Sequence, residues 1–410
     1  MLEVLLSPIT KERGRALLRI IRNAAAFLLA AAVVFVVAPV EAQQRAPYEL
    51  TAILSESGPG AFVGQAAGKS MVAMESYINS TGGIHGRPVK ITVLDDQSSP
   101  QVAVQLVNGL IAQKRPAFIG PMLTASCEAV IPLISKTGPV AYCVSPFVNP
   151  PRGGYMFMQQ GSPLDLAITG LRFLKGRGAK RIAVLNATDA SSQAADNGFE
   201  QAFGLKEFSS LQQVLHMRFS PSDITLTAQA SQIKAANPDA IVTWSVGAPF
   251  AATLRALHDA GINVPVLSNS VNETAEQMQQ VADVLPRDIN FVGGASWVVG
   301  AHEPPAVIKQ QEILRKYLSA AGLPTNGAYA ATWDIELVLI DALRHVPENP
   351  SALQVHDYLT HIFNFPGTNV IYDFRFGQQS GALQSSIVSR WDAAHARFVP
   401  ASYPGGRPAE

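Results

Sequence analysis

From Tyr48 onward the chain alternates short β-rich runs with longer segments of helical period, and few folds accept that order. The run Tyr48 to Leu54 reads as a strand. Ala66, Ala67, Met71, Met74 and Ile78 then give one apolar face of a helix that ends at Gly82-Gly83. The cycle repeats through Ile91 to Leu94, Val102 to Ile111, Ala117 to Gly120, Ser126 to Ile134 and Val140 to Cys143. Strands separated by helices cannot form hairpins, so they pair in parallel with right-handed crossovers.

After the break at Gly161-Ser162-Pro163 the alternation starts again and runs to a helix from Glu273. With 410 residues, more than one core of ordinary size, the chain predicts two α/β lobes. Later helices, Val307 to Ala321, Ala328 to Leu343 and Leu353 to Ile362, exceed what the second sheet needs and are expected to return to the first. The fold class is therefore α/β, with two doubly wound parallel-sheet lobes joined by a hinge of several crossovers. The expected division is 43–164 and 293–371 for lobe 1, 165–292 and 372–403 for lobe 2, and a flexible tail at 404–410. Crossovers are expected near Ser162 to Asp165, Val292 to Ala295 and Ile371 to Asp373. A closing hairpin is expected from Ile387 to Val399.

The first forty residues differ from the rest. Lys11, Arg13, Arg15, Arg19 and Arg22 precede an uncharged apolar run from Ala24 to Val40, followed by Val-Glu-Ala. This order predicts a secretory signal peptide, residues 1–42, cleaved after Ala42 into the periplasm. An uncleaved anchor is the alternative reading of the same run; no Cys stands at the junction to carry a lipid. Removing residues 1–42 takes five basic and three acidic side chains from 31 of each, so the mature chain stays near neutral. Nucleic acid and anionic lipid are thereby poor partners.

Chemistry-bearing motifs are few. Gly64, Gly68, Lys69 and Ser70 imitate a phosphate loop, but its first glycine would fall at Val63 and the stretch has a helical face. No HExxH, CxxC or GxSxG occurs, and His356 and His361 are five apart, off the spacing that shares a helix face. The reading is of a binder that is not an enzyme and needs neither cofactor nor metal. Asp95-Asp96 at a strand end read as turn and cap residues. Cys127 and Cys143, on a helix start and on the strand that follows, read as a disulfide, with two buried thiols as the alternative.

Between Phe118 and Pro151 two polar turns end neighbouring strands, where helix N–H groups and short hydroxyls converge on a small polar group. The order of these marks, with Ser57-Gly58-Pro59, the Gly82 to Val89 turn, Ile119-Gly120, Ser145-Pro146 and Lys180 to Val184, resembles the periplasmic ligand-binding proteins of type I topology. These serve branched-chain amino-acid ABC importers, the leucine/isoleucine/valine-binding family. The resemblance covers Tyr48 to about Val399. It implies a monomer that closes over an amino acid and docks on an inner-membrane permease.

By position, the resemblance implies that Thr124, the backbone of Phe147, and Asn149 hold the ligand carboxylate, with Ser126 beside them. Capping of the helix is the other role open to Thr124 and Ser126. Ser270 stands where the amino-acid binders carry an acid against the ligand ammonium, and Ser191 and Val246 replace two tyrosines. Either Glu273 takes over or the solute has no amine, as in an aromatic carboxylate. Phe62 and Trp297 are candidates for aromatic surface in the cleft, core packing being the other reading of Trp297. A ligand-sensing receptor module is the alternative use of the same fold.

Overall fold

The computed structural model describes residues 45–159, 161–294, 298, 300, 303–375 and 386–409. The segment 1–42, with its leader reading, and Trp297 lie outside them. Strands β1 (Tyr48–Leu54), β2 (Val89–Asp95), β3 (Ala117–Ile119), β4 (Val140–Cys143) and β5 (Met156–Met158) form one parallel sheet in the order β2-β1-β3-β4-β5. Helices α1 (Ala61–Ser80), α2 (Pro100–Ala112) and α3 (Thr124–Ile134) connect its strands. Strands β3 and β4 are buried along their whole length, as strands covered on both faces must be.

The second sheet repeats the same order. Strands β6 (Arg181–Ala187), β7 (Gln212–Phe219), β8 (Ala240–Trp244), β9 (Val266–Asn269) and β10 (Ile289–Gly293) run β7-β6-β8-β9-β10, all parallel. Between them come α4 (Pro163–Gly176), ahead of β6, then α5 (Ala190–Phe203), α6 (Thr227–Ala236), α7 (Ala248–Asp259) and α8 (Ala275–Gln280). Helix α4 opens on a reciprocal cap, with the Ser162 hydroxyl accepting from the Asp165 N–H and the Asp165 carboxylate accepting from the Ser162 N–H.

Helices α9 (Pro305–Ala320), α10 (Gly327–Ala330), α11 (Trp333–His345) and α12 (Ala352–Thr360) follow β10. They do return to the first sheet: Trp333 stacks on Tyr77 of α1, Tyr317 meets Tyr77 edge-on at 5.2 Å, and Arg344 donates to the Gly83 carbonyl at 2.8 Å. The helix expected over Ala328 to Leu343 is two pieces, α10 and α11, and the strand β5 was not anticipated. A two-residue pair, β11 (Phe365–Pro366) and β12 (Ile371–Tyr372), precedes the hairpin of β13 (Ile387–Asp392) and β14 (Arg397–Pro400), which adds antiparallel to β10.

The end of the chain differs from the flexible tail expected at 404–410. Gly405 donates to the Ser386 carbonyl and Ala409 to that of Ala401, both at 2.9 Å. Gly406, at φ +94°, lies so close to α4 that a Cβ there would meet the Thr169 carbonyl oxygen at 2.1 Å. Glycine permits both the backbone angle and the approach, a use that a composition-based reading of a Pro/Gly-rich end does not reveal.

Three crossing segments meet around one carboxylate. Asp334, at the start of α11 and fully buried, accepts from the Thr368 N–H at 2.5 Å, the Asn369 N–H at 3.0 Å and the Tyr372 hydroxyl at 3.2 Å. The Tyr372 hydroxyl also bonds the Gln159 carbonyl, just past β5. Gly294, just past β10, presses on Asn369 so closely that a Cβ would sit 2.2 Å from its side-chain oxygen.

Two predictions follow from the buried groups. Burial pushes the carboxyl of Glu336 on α11 up to about 8, against a weaker downward pull from the Thr332 hydroxyl. The folded protein then holds a proton that the unfolded chain releases above about pH 4.5, so this group's stabilisation falls as pH rises from there to about 8. Thermal melts should show Glu336→Gln gaining on the wild type between pH 5 and 8; parallel profiles would contradict the assignment. The Cys127–Cys143 disulfide, with Cα atoms 6.0 Å apart, closes a loop of sequence separation 16. Replacing both by Ser should cost about 3 kcal/mol in urea unfolding by the loop-entropy estimate.

Candidate functional site

In both sheets the strand order reverses between neighbours, β1 with β3 and β6 with β8, and at such a switch point the connections leave on opposite faces and open a crevice at the strands' carboxyl ends. Almost every expected site residue follows such an end. Phe62 comes after β1, Thr124 and Ser126 after β3, Phe147 and Asn149 after β4, Ser191 after β6, Val246 after β8 and Ser270 after β9.

The turn after β3 is set by Gly120, at φ +100°, where a Cβ would strike the Ile53 carbonyl oxygen at 2.2 Å. Helix α3 then begins at Thr124, with its first N–H groups directed to the end of the sheet. The disulfide ties Cys127 in the first turns of α3 to Cys143, the last residue of β4. Two residues later comes Ser145, buried, whose Oγ lies 2.7 Å from Thr124 Oγ1 and accepts from the Phe147 N–H at 3.2 Å. Ser126 is fully buried, and its hydroxyl has no hydrogen-bond partner among the described residues. Hydroxyl protons and helix N–H groups gathered at one spot suit an anion the size of a carboxylate.

In the sequence Ser145 stands out only as the start of the Ser145-Pro146 turn. Its place after β4, level with Thr124 after the adjacent β3, is the signal that would have promoted it. Asn149 is exposed two residues beyond Phe147. Phe62, in the first turn of α1, is 52% exposed and so stands at an edge and not in the core.

On the second sheet, the turns after β8 and β9 are fastened to each other. Asn269 and Asn272 both donate to the Ser245 carbonyl, at 3.0 and 2.9 Å, and the Gly247 N–H donates to Asn272 at 3.2 Å. Val246 is half-buried in this turn. Ser270 is buried against Gly293, where a Cβ would meet its Oγ at 2.2 Å. Ser191 is half-buried at the start of α5 and donates to the capping carboxylate of Asp189, which also holds Ser192.

Carboxylates near these turns are mostly engaged. Against the upward push of burial, the Ser57 hydroxyl and the N–H groups of Gln97, Ser57 and Glu56 all donate to Asp95 and hold its carboxyl below the ordinary range. Asp96 accepts from the Ser55 hydroxyl at 2.7 Å. Glu273 is buried, and its Oε1 accepts from the Ser389 hydroxyl on β13, two residues down from the strand end. Glu128, which the sequence did not single out, is exposed one helical turn beyond Thr124 on the same face of α3. Partial burial raises its carboxyl, and no ion pair forms there among the described residues.

Two surface depressions, of about 480 and 430 Å³, lie elsewhere, at the amino ends of the second and first sheets. Arg177, Arg287 and Trp391 line one and Tyr48, Arg87 and Lys114 the other, and none of the expected site residues borders either.

Several solved structures share this fold. An extracellular ligand-binding receptor from Rhodopseudomonas palustris HaA2 superposes with a TM-score of 0.74 at 18% identity, covering 87% of this chain and all of that one. The leucine-binding protein LivK of Thermotoga maritima MSB8 gives 0.71 at 18%, covering 86% and 97%. The branched-chain amino acid transporter substrate-binding protein LivJ of Streptococcus pneumoniae, solved with isoleucine, gives 0.68 at 17%, covering 86% and 99%. At such identities the likeness establishes the fold. In sequence, the chain is 24% identical over 217 residues to Leu/Ile/Val-binding protein homolog 3 of Brucella melitensis. That match spans 52% of this chain and 58% of the relative, little more than half of each. A family model described as periplasmic binding protein matches residues 47–396, nearly the whole described fold, and the chain belongs to that family.

Proposed function

We propose that the protein is the periplasmic solute-binding component of an ABC importer, holding a small carboxylate-bearing hydrophobic solute between two lobes. The observation that carries this reading is the convergence of Thr124 Oγ1, Ser145 Oγ and the Phe147 N–H at the start of α3. A carboxylate there replaces the bonds these groups make to one another, and it needs no cation to hold it. Residues 43–164 and 293–371 form one lobe and 165–292 and 372–403 the other, with the crossings around Asp334 as hinge. No helix among the described residues is long and apolar enough to cross a membrane. Export depends on the leader at 1–42, and solute transfer on a membrane permease partner; the work is binding and not turnover.

The class of solute follows from where the acids are. A branched-chain or related amino acid brings an ammonium group, which is costly to bury without a carboxylate. Glu273 is buried with its Oε1 on the Ser389 hydroxyl of β13, and Ser270 offers a hydroxyl only. These observations favour the second reading, an amine-free aromatic or other hydrophobic acid. Glu128 is the acid placed to serve an ammonium from the Thr124 side.

A thermal-shift screen of residues 43–410 tests both readings. A solute at about 100 times its Kd stabilises by about 2.7 kcal/mol. Shifts are expected with 4-methylpentanoate and small aromatic acids. A leucine shift that Glu128→Gln abolishes would assign an amino-acid binder with its counter-charge on α3, and no shift with any acid would contradict the carboxylate pocket. Thr124→Val should weaken a binding acid about tenfold to a hundredfold, the loss of one hydrogen bond to a charged group.

A further inference from the structure

Phe147 belongs to two places at once. Its backbone lies in the turn after β4 of the first sheet, with its N–H on Ser145 Oγ. The residue is only 3% exposed, and its ring packs into the cluster between the second sheet and helices α4 and α5. There it meets Trp244, the last residue of β8, edge-on, with centroids 5.5 Å apart and planes at 86°. Trp244 meets Phe199 of α5 in the same way at 5.7 Å. Helices α3 and α5, one from each sheet's set, approach each other beside this stack.

We infer that Phe147 is a latch, its ring seated in the Trp244–Phe199 stack and holding the two sheet units together before any solute binds. Separation of the units would uncover a phenyl ring and the edge of a buried indole, and both prefer the dry, edge-to-face arrangement. The population is thereby biased to the arrangement in which the two sheet units stay in contact. The latch also deepens the function proposed above and, in this respect, rests on it. A solute carboxylate that draws on the Phe147 N–H engages the same residue that carries the ring.

The test uses solute-free protein, so its outcome is independent of whether the carboxylate reading holds. Small-angle scattering and acrylamide quenching of tryptophan emission are measured for the wild type, Phe147→Ala and Phe147→Leu, with Trp244→Phe giving the Trp244 contribution by difference. Expected are a compact wild type with shielded Trp244, a larger radius of gyration and a newly quenchable Trp244 in Phe147→Ala, and a smaller shift in Phe147→Leu. Should circular dichroism show Phe147→Ala unfolded, Phe147→Leu carries the test. A folded variant with the wild-type radius and wild-type quenching would overturn the latch. A failed acid screen with an intact shift here would instead count against the solute reading alone.

Discussion

The arrangement depends first on one buried carboxylate. Asp334 receives two backbone N–H groups and a phenolic hydroxyl from the segment that leads out of the first sheet's helices. Its carboxyl is raised by burial, with those same bonds pulling the other way. Through Tyr372 it reaches Gln159, just past β5, and beside it Gly294, just past β10, packs on Asn369. A buried acid so fully bonded is strongly destabilising to break, because the remaining charge or donors would have no water to turn to. The relative placement of the two sets of strand ends, and with it the geometry of any site between them, is anchored there.

From that anchor the site follows by short steps. Parallel strands send their carboxyl ends one way, so the turns after β1, β3 and β4 in one sheet and β6, β8 and β9 in the other are the ones available to a ligand. Within the first sheet the disulfide fixes α3 to β4, and Ser145 gathers Thr124 and Phe147 just beyond it. Within the second, asparagines fasten one turn to the next and leave small or apolar side chains, Ser270 and Val246, as the uncommitted ones. The function proposed above assigns the solute's anion to the first side and its neutral remainder to the second.

Much of this was legible in the sequence because parallel α/β folds write themselves as alternation. The strand Ala240 to Trp244 and the return of the later helices could be read from apolar period and from counting elements against sheets. The Cys127–Cys143 pairing could be read from helix-then-strand spacing. What escaped depends on long-range contact. Strand β5, three residues ending in a polar break, has too few positions to show a period. The Pro/Gly-rich end resembles a frayed tail until Thr169 is known to lie beneath Gly406. Phe147 was read for its backbone only, and no local pattern says that its ring crosses to Trp244.

The central claim is that a carboxylate, held by hydroxyls and N–H groups without a cation, is the part of the solute this protein recognises. Calorimetric titration of the mature chain with a binding acid and with its primary amide tests that claim most directly, since the two differ in charge at that group and hardly in shape. The account predicts saturable one-to-one binding of the acid, with a negative heat-capacity change from burial of its apolar part, and loss of binding for the amide. Equal affinity for acid and amide would contradict it, and would move recognition away from Thr124, Ser145 and Phe147.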